Sequence, residues 1–216
     1  MQEIVEIIKT GNSNLLEEKL KANPSIACSK TDQDISLLQF AAYCRNKEAI
    51  EILVTYLDNL SIYEAASIGD KNALIQFIKK NPEQINSHAK DGFTPLGLAS
   101  FFGHIELVKL LLENNADPNI AAKNQFMVTP LHSACATSNQ EIAKILIENN
   151  ADVNAKQMQG VTPLHSAVHN GHVKLVKLLI ESGADLNAKM DNGQTPLSMA
   201  HEVKNKEIIK LIELSM

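Results

Sequence analysis

The chain has 216 residues with 20 Lys+Arg against 25 Asp+Glu, giving a formal charge of −5 and a pI near 5.8. That balance argues against nucleic acid as a partner, and Arg45, the only arginine, leaves little capacity for bidentate phosphate recognition. Aromatic residues make up only 4% and Trp is absent, so the core has to be aliphatic. The longest uninterrupted apolar run, residues 40–44, is far short of the ~20 residues of a membrane span.

The opening Met1-Gln2-Glu3-Ile4-Val5-Glu6 carries acids where a secretory signal carries basic residues, which predicts a cytoplasmic protein. Cys28, Cys44 and Cys135 form an odd count without paired spacing. Free thiols suit that pattern better than a disulfide framework or a zinc site.

Helix starts are predicted, in chain order, at positions 3, 36, 61, 94, 129, 162 and 195. Ser36-Leu37-Leu38-Gln39 and Ser61-Ile62-Tyr63-Glu64 read as capping boxes. Thr94, Thr129, Thr162 and Thr195 each open a Thr-Pro-Leu, at intervals of 35, 33 and 33. The threonine oxygen accepts from the free amides of the first turn, and proline has no donor to leave unpaired. A small-residue helix follows each start, then a polar break, then a second helix with an aliphatic stripe. The stripes are Leu107, Val108, Leu110, Leu111; Ile142, Ala143, Ile145, Leu146; Leu175, Val176, Leu178, Leu179; and Ile208, Ile209, Leu211, Ile212. Gly183, Asn115 and Asn150 stand where a helix ends at positive φ. Asn119, Asn154 and Asn187 close Ala-Asp-x-Asn stretches and read as loop hydrogen-bonding residues.

A period near 33 with Thr-Pro-Leu-His-x-Ala at Thr129 and Thr162 resembles the ankyrin repeat family. The resemblance is strongest over residues 89–200. It continues more weakly upstream, where Asn23-Pro24 aligns with Asn81-Pro82 and Gly11 with Gly69. It implies an all-α solenoid of seven helix-turn-helix units with short β-hairpin fingers, a single domain over 1–216. The units fall at about 1–30, 31–57, 58–88, 89–121, 122–155, 156–188 and 189–216. Glu17 and Lys19 in the first stripe, and Glu213 in the last, mark water-facing caps and lead us to expect a complete chain. Two intervals depart from the rule. The 25 residues from Ser36 to Ser61 leave Leu57-Asp58-Asn59-Leu60 too short for a finger, so one is missing near residues 57–60. Two residues are added before Lys123, and the following finger, residues 124–128, lacks the glycine of Gly92, Gly160 and Gly193, so it should be reshaped.

The resemblance implies non-catalytic binding of a partner protein, as scaffold, adaptor or inhibitor, on a concave face of fingers and inner helices. Carried over position by position, that face comprises Ile35, Tyr43, Phe93, Phe101, Phe102, Phe126, Met127, Val128, Met158, Val161 and His169, with Asn170, Gln194 and Glu202 beside them. Phe40, Phe77 and Tyr63 fall instead in slots expected to be core. An inhibitor or immunity-type protein dedicated to one toxin or enzyme is an alternative. A second, metal-dependent or enzymatic role, would rest on His165-x3-His169-x2-His172. Most histidines have structural roles in the repeat pattern, and no Gly-rich phosphate loop or nucleophile motif is visible. The expectation is therefore a monomer with no cofactor, no metal, no catalytic residue and no nucleic-acid or membrane partner.

Overall fold

Helices of seven to ten residues are too short to persist alone in water, so each helix of this chain depends on the apolar stripe it buries. The structure is a computed structural model describing residues 1–216. Fourteen helices form seven pairs. They are α1 (Gln2–Thr10), α2 (Ser13–Ala22), α3 (Leu37–Tyr43), α4 (Lys47–Val54), α5 (Ile62–Ile68), α6 (Lys71–Lys80), α7 (Pro95–Phe102), α8 (Ile105–Glu113), α9 (Pro130–Ala136), α10 (Gln140–Glu148), α11 (Pro163–His169), α12 (Val173–Glu181), α13 (Pro196–Glu202) and α14 (Lys206–Glu213). No helix is long and apolar enough to cross a membrane. Two compact units are present, residues 1–95 and residues 96–216.

The same local chemistry is used in each pair. The side chains of Ser36, Ser61, Thr129, Thr162 and Thr195 accept from the amide three residues on and so start the first helices. Asn12, Asn46, Asp70, Asn139 and Asn205 do the same for the second helices. The residue before each of these breaks has positive φ. Glycine supplies it at Gly11, Gly69, Gly103 and Gly171, whereas Arg45, Ser138 and Lys204 adopt it despite their side chains.

In the first unit the core joins Ile4, Ile7 and Ile8 of α1, Leu16 and Leu20 of α2, Leu37, Leu38 and Ala41 of α3, and Ala49 and Leu53 of α4. In the second, Leu131, Ala134 and Cys135 of α9 and Leu164, Ala167 and Val168 of α11 are buried with Ile142, Leu146, Leu175 and Leu179 of the second helices. α9 packs on α11 and α11 on α13, while α10 packs on α12 and α12 on α14. Neighbouring pairs therefore complete each other's core, which no pair could bury alone.

Several expectations change. The first helix begins after Met1 rather than at position 3. The fingers are closed turns without strands, because loops closed over five to seven residues leave no length for a ladder; Lys30 and Ser36 form a lone antiparallel bridge. In the stripes, Leu110, Ile145 and Leu178 are only half-buried while Leu111, Leu146 and Leu179 are fully enclosed. Phe40, Tyr63 and Phe77 are likewise half-buried, lying at the edge of the packing rather than inside it. The box expected at Ser36 is half made: Ser36 caps the Gln39 amide, but the Gln39 side chain turns away to Asp91.

Between α4 and α5 the chain passes from Val54 to Ile62 without a finger; Tyr56 and Leu57 donate back to the carbonyls of Leu53 and Val54, and the chain then enters the Ser61 cap. The eight missing residues are the finger.

Candidate protein-binding surface

A turn closed by one backbone bond holds each finger. In the first unit Thr31 donates to the Ile35 carbonyl at 2.8 Å and Ala89 to that of Phe93 at 2.9 Å. In the second, Gln157 donates to Val161 and Met190 to Gln194, both at 2.9 Å. The finger after Asn119 closes from Ala122 to Val128 at 2.9 Å, two residues wider than the others. Met127 there takes the left-handed conformation at φ 52, in a finger without glycine. The wider turn pushes Phe126 and Met127 outward, 46% and 48% exposed, the largest apolar exposure away from the chain ends. The finger is held against its neighbour, since Met158 donates to the Phe126 carbonyl at 2.9 Å.

Two buried histidines fasten the next fingers to the inner helices. The Thr162 amide donates to Nδ1 of His165 at 3.3 Å, which leaves the proton on Nε2 to be donated to the Gln194 carbonyl at 3.3 Å. His132 has the same geometry, with Nδ1 2.8 Å from the Thr129 hydroxyl and Nε2 3.1 Å from the Val161 carbonyl. Burial disfavours the charged ring, so the His132 pKa falls to about 4 despite the carbonyl that favours protonation. His165 is lowered for the same reason. With both ring nitrogens engaged, His165 could ligate a metal only by giving up its cap and its finger. No three His, Cys, Asp or Glu side chains converge anywhere. Burial also raises the Cys135 thiol to about 12, a packing residue rather than a nucleophile.

Beside these fingers, on the exposed side of α11, lies a cavity of about 310 Å³. Val161, His169 and Asn170 line it, as do Ala136, Gln157, Ser166, Met190 and Met199. The last five gave no sequence cue. Ala136 occupies the slot that Phe101 and His169 fill in other units, and a small side chain contributes by leaving room. Asn170 is fixed by donating to the carbonyls of Cys135 and Ala136 at 3.2 and 3.1 Å.

The other carried-over residues are less available. Phe101 and Phe102 are half-buried, meeting edge to face at 5.1 Å, and Phe102 stacks on His104. Gln194 donates to Glu202. In the first unit, the Tyr43 hydroxyl and the Gln39 amide both donate to Asp91 Oδ2 at 2.7 Å, while Asp91 Oδ1 accepts from the Phe93 amide at 3.1 Å. Burial, then the Asp91 charge, holds the Tyr43 pKa well above its ordinary value. Lys90 reaches Asp34 of the preceding finger at 3.6 Å. The finger at residues 89–93 thus bridges the place where a finger is missing, and Tyr43 serves that bridge, while Ile35 and Phe93 are half-buried and close their own fingers. Asn119 and Asn154 join units through their side chains: each donates to one backbone carbonyl of the next unit (Asn150, Gly183) and accepts from one amide (Asp152, Asp185).

A family model described as ankyrin repeats (3 copies) matches residues 62–157 and 155–214. The human DNA-binding protein RFXANK is 34% identical over 110 residues, 50% of this chain and 42% of that protein. The Caenorhabditis elegans homolog of transient receptor potential cation channel subfamily A member 1 is 35% identical over 121 residues, 55% of this chain and 9% of that one. Human ankyrin repeat family A protein 2 is 36% identical over 68 residues, 32% of this chain and 21% of the relative. The matched segments span less than half the length of these relatives.

Proposed function

We propose that this chain, which belongs to the ankyrin repeat family, is a non-catalytic protein-interaction module that binds a partner protein on the finger and inner-helix face of its second unit. One observation carries the reading. The exposed Phe126–Met127 tip, tied through Met158 to the adjacent finger, stands beside an open cavity lined by Val161, His169 and Met199. Exposed apolar anchors next to a recess are what interface hot spots require. The rigid tether from His132 to Val161 lowers the ordering cost of binding there. The relative RFXANK is named a DNA-binding protein, but here a net charge of −5 repels phosphate and a single arginine offers little bidentate phosphate recognition, so we read a protein surface rather than a nucleic-acid one.

The test compares the wild-type chain with Phe126→Ala/Met127→Ala and with His169→Glu in capturing binding partners from native extract, with thermal unfolding as the check on folding. All changed side chains are exposed, so folding should be kept. Loss of a true anchor should weaken the captured complex by about 2 kcal/mol or more. Retention of the same partner at wild-type strength by both variants would place the site elsewhere.

A further inference from the structure

The missing finger leaves a second recess. α2 packs on α4 much as α12 does on α14, but between the end of α4 and α6 the structure opens a groove of about 450 Å³. It lies wholly within the first unit and shares no residue with the cavity beside α11. Its floor is apolar: Val54, Leu57, Leu60 and Phe77 are all half-buried there, which is why Phe77 is not enclosed as its slot in the repeat would suggest.

Over that floor stand carboxamides. Asn59, Asn72, Gln76 and Asn81 line the groove, and none of the four side chains makes an intramolecular hydrogen bond. Asn81 shows this most clearly. Its counterpart Asn23 accepts from the Ser25 amide and hydroxyl at 3.3 and 2.7 Å, whereas Asn81 makes no such cap before Pro82. A carboxamide both donates and accepts, so a row of them matches the alternating N–H and C=O groups of an extended main chain.

Charge settles the kind of side chain. Asp58 lies in the groove without an ion pair, and Asp70 uses only Oδ1 to cap the Ala73 amide at 2.9 Å. Lys80 is the single cation in the lining. Two carboxylates above aliphatic floor residues complement a basic residue flanked by apolar ones. We propose that this groove is a second recognition site, taking an extended peptide segment of a partner protein in which Lys or Arg sits beside aliphatic residues.

The experiment pans a random linear peptide library displayed on phage against the full chain, then titrates a recovered peptide in synthetic form. Recovered peptides should share a Lys or Arg next to aliphatic residues. Binding should weaken tenfold or more in Asp58→Lys and in Gln76→Arg, both at exposed positions, with melting curves confirming the fold. The same peptide should bind Phe126→Ala/Met127→Ala and His169→Glu as it binds wild type, which separates this site from the one on the second unit. The proposal is overturned if no peptide is enriched, if the enriched peptides lack a basic residue, or if binding survives both groove substitutions in folded protein. It is overturned equally if Asp58→Lys abolishes self-association measured by sedimentation, since the occupant would then be a second copy of this chain.

Discussion

Acid should loosen this protein through His132, and the size of the effect follows from its surroundings. The ring is 1% exposed, spans from the Thr129 hydroxyl to the Val161 carbonyl, and has its pKa depressed to about 4 from 6.5. Above pH 6.5 the ring is neutral in folded and unfolded chains alike, and its contribution is fully present. As pH falls below 6.5 the unfolded chain takes up a proton that the folded chain refuses, so stability declines until the folded ring titrates near pH 4. The accumulated loss is about 3 kcal/mol, and His165, lowered in the same direction, adds to it. The assay is chemical unfolding of wild type and His132→Gln at pH 7.5 and pH 4.5. The variant loses packing at both pH values, so the informative quantity is the change between them, which should be markedly smaller in the variant. An equal decline in both proteins, or an NMR titration placing folded His132 near pH 6.5, would refute the reasoning.

Three further outcomes are expected. Leu111→Ala and Leu179→Ala should each cost ~2 to 5 kcal/mol in denaturant unfolding because both side chains are fully enclosed, and the half-buried neighbours Leu110 and Leu178 should cost clearly less. Lys204→Gly should stabilise the chain by about 0.5 to 1 kcal/mol, since the left-handed turn at φ 56 penalises a side chain more than glycine's extra freedom when unfolded offsets; the reverse change Gly160→Ala should destabilise, because its Cβ would also stand 3.1 Å from Asp191 Oδ1. Asp91→Ala should cost about 2 kcal/mol, leaving the buried Gln39 amide without its acceptor, and should speed amide exchange in the finger at residues 89–93; unchanged exchange there would mean that Asp91 does not hold the finger.

The repeat pattern, the helix starts after the first and the missing finger were legible in the residues because their causes are local. A threonine that caps the amide three positions on, or a left-handed residue ending a helix, acts within one turn of chain wherever the pair comes to rest. The aliphatic stripes were equally plain, yet which of their members would be enclosed was not. Leu110 and Leu111 are the same residue type one position apart, and only the helices packed around α8 leave the first half-open. The candidate surfaces depended on tertiary structure for the same reason. Gln39 looked like half of a capping box until Asp91, distant in sequence, drew it away. Tyr43 looked like a free contact residue, and the same carboxylate holds it. Phe126 and Met127 stand outward because two added residues widen a turn, a consequence visible in the count of residues but not in its direction. The groove at Phe77 and the cavity at Ala136 are spaces, made by a chain segment that is absent and a side chain that is small. A sequence names the groups that are present, and only their packing determines where room is left between them.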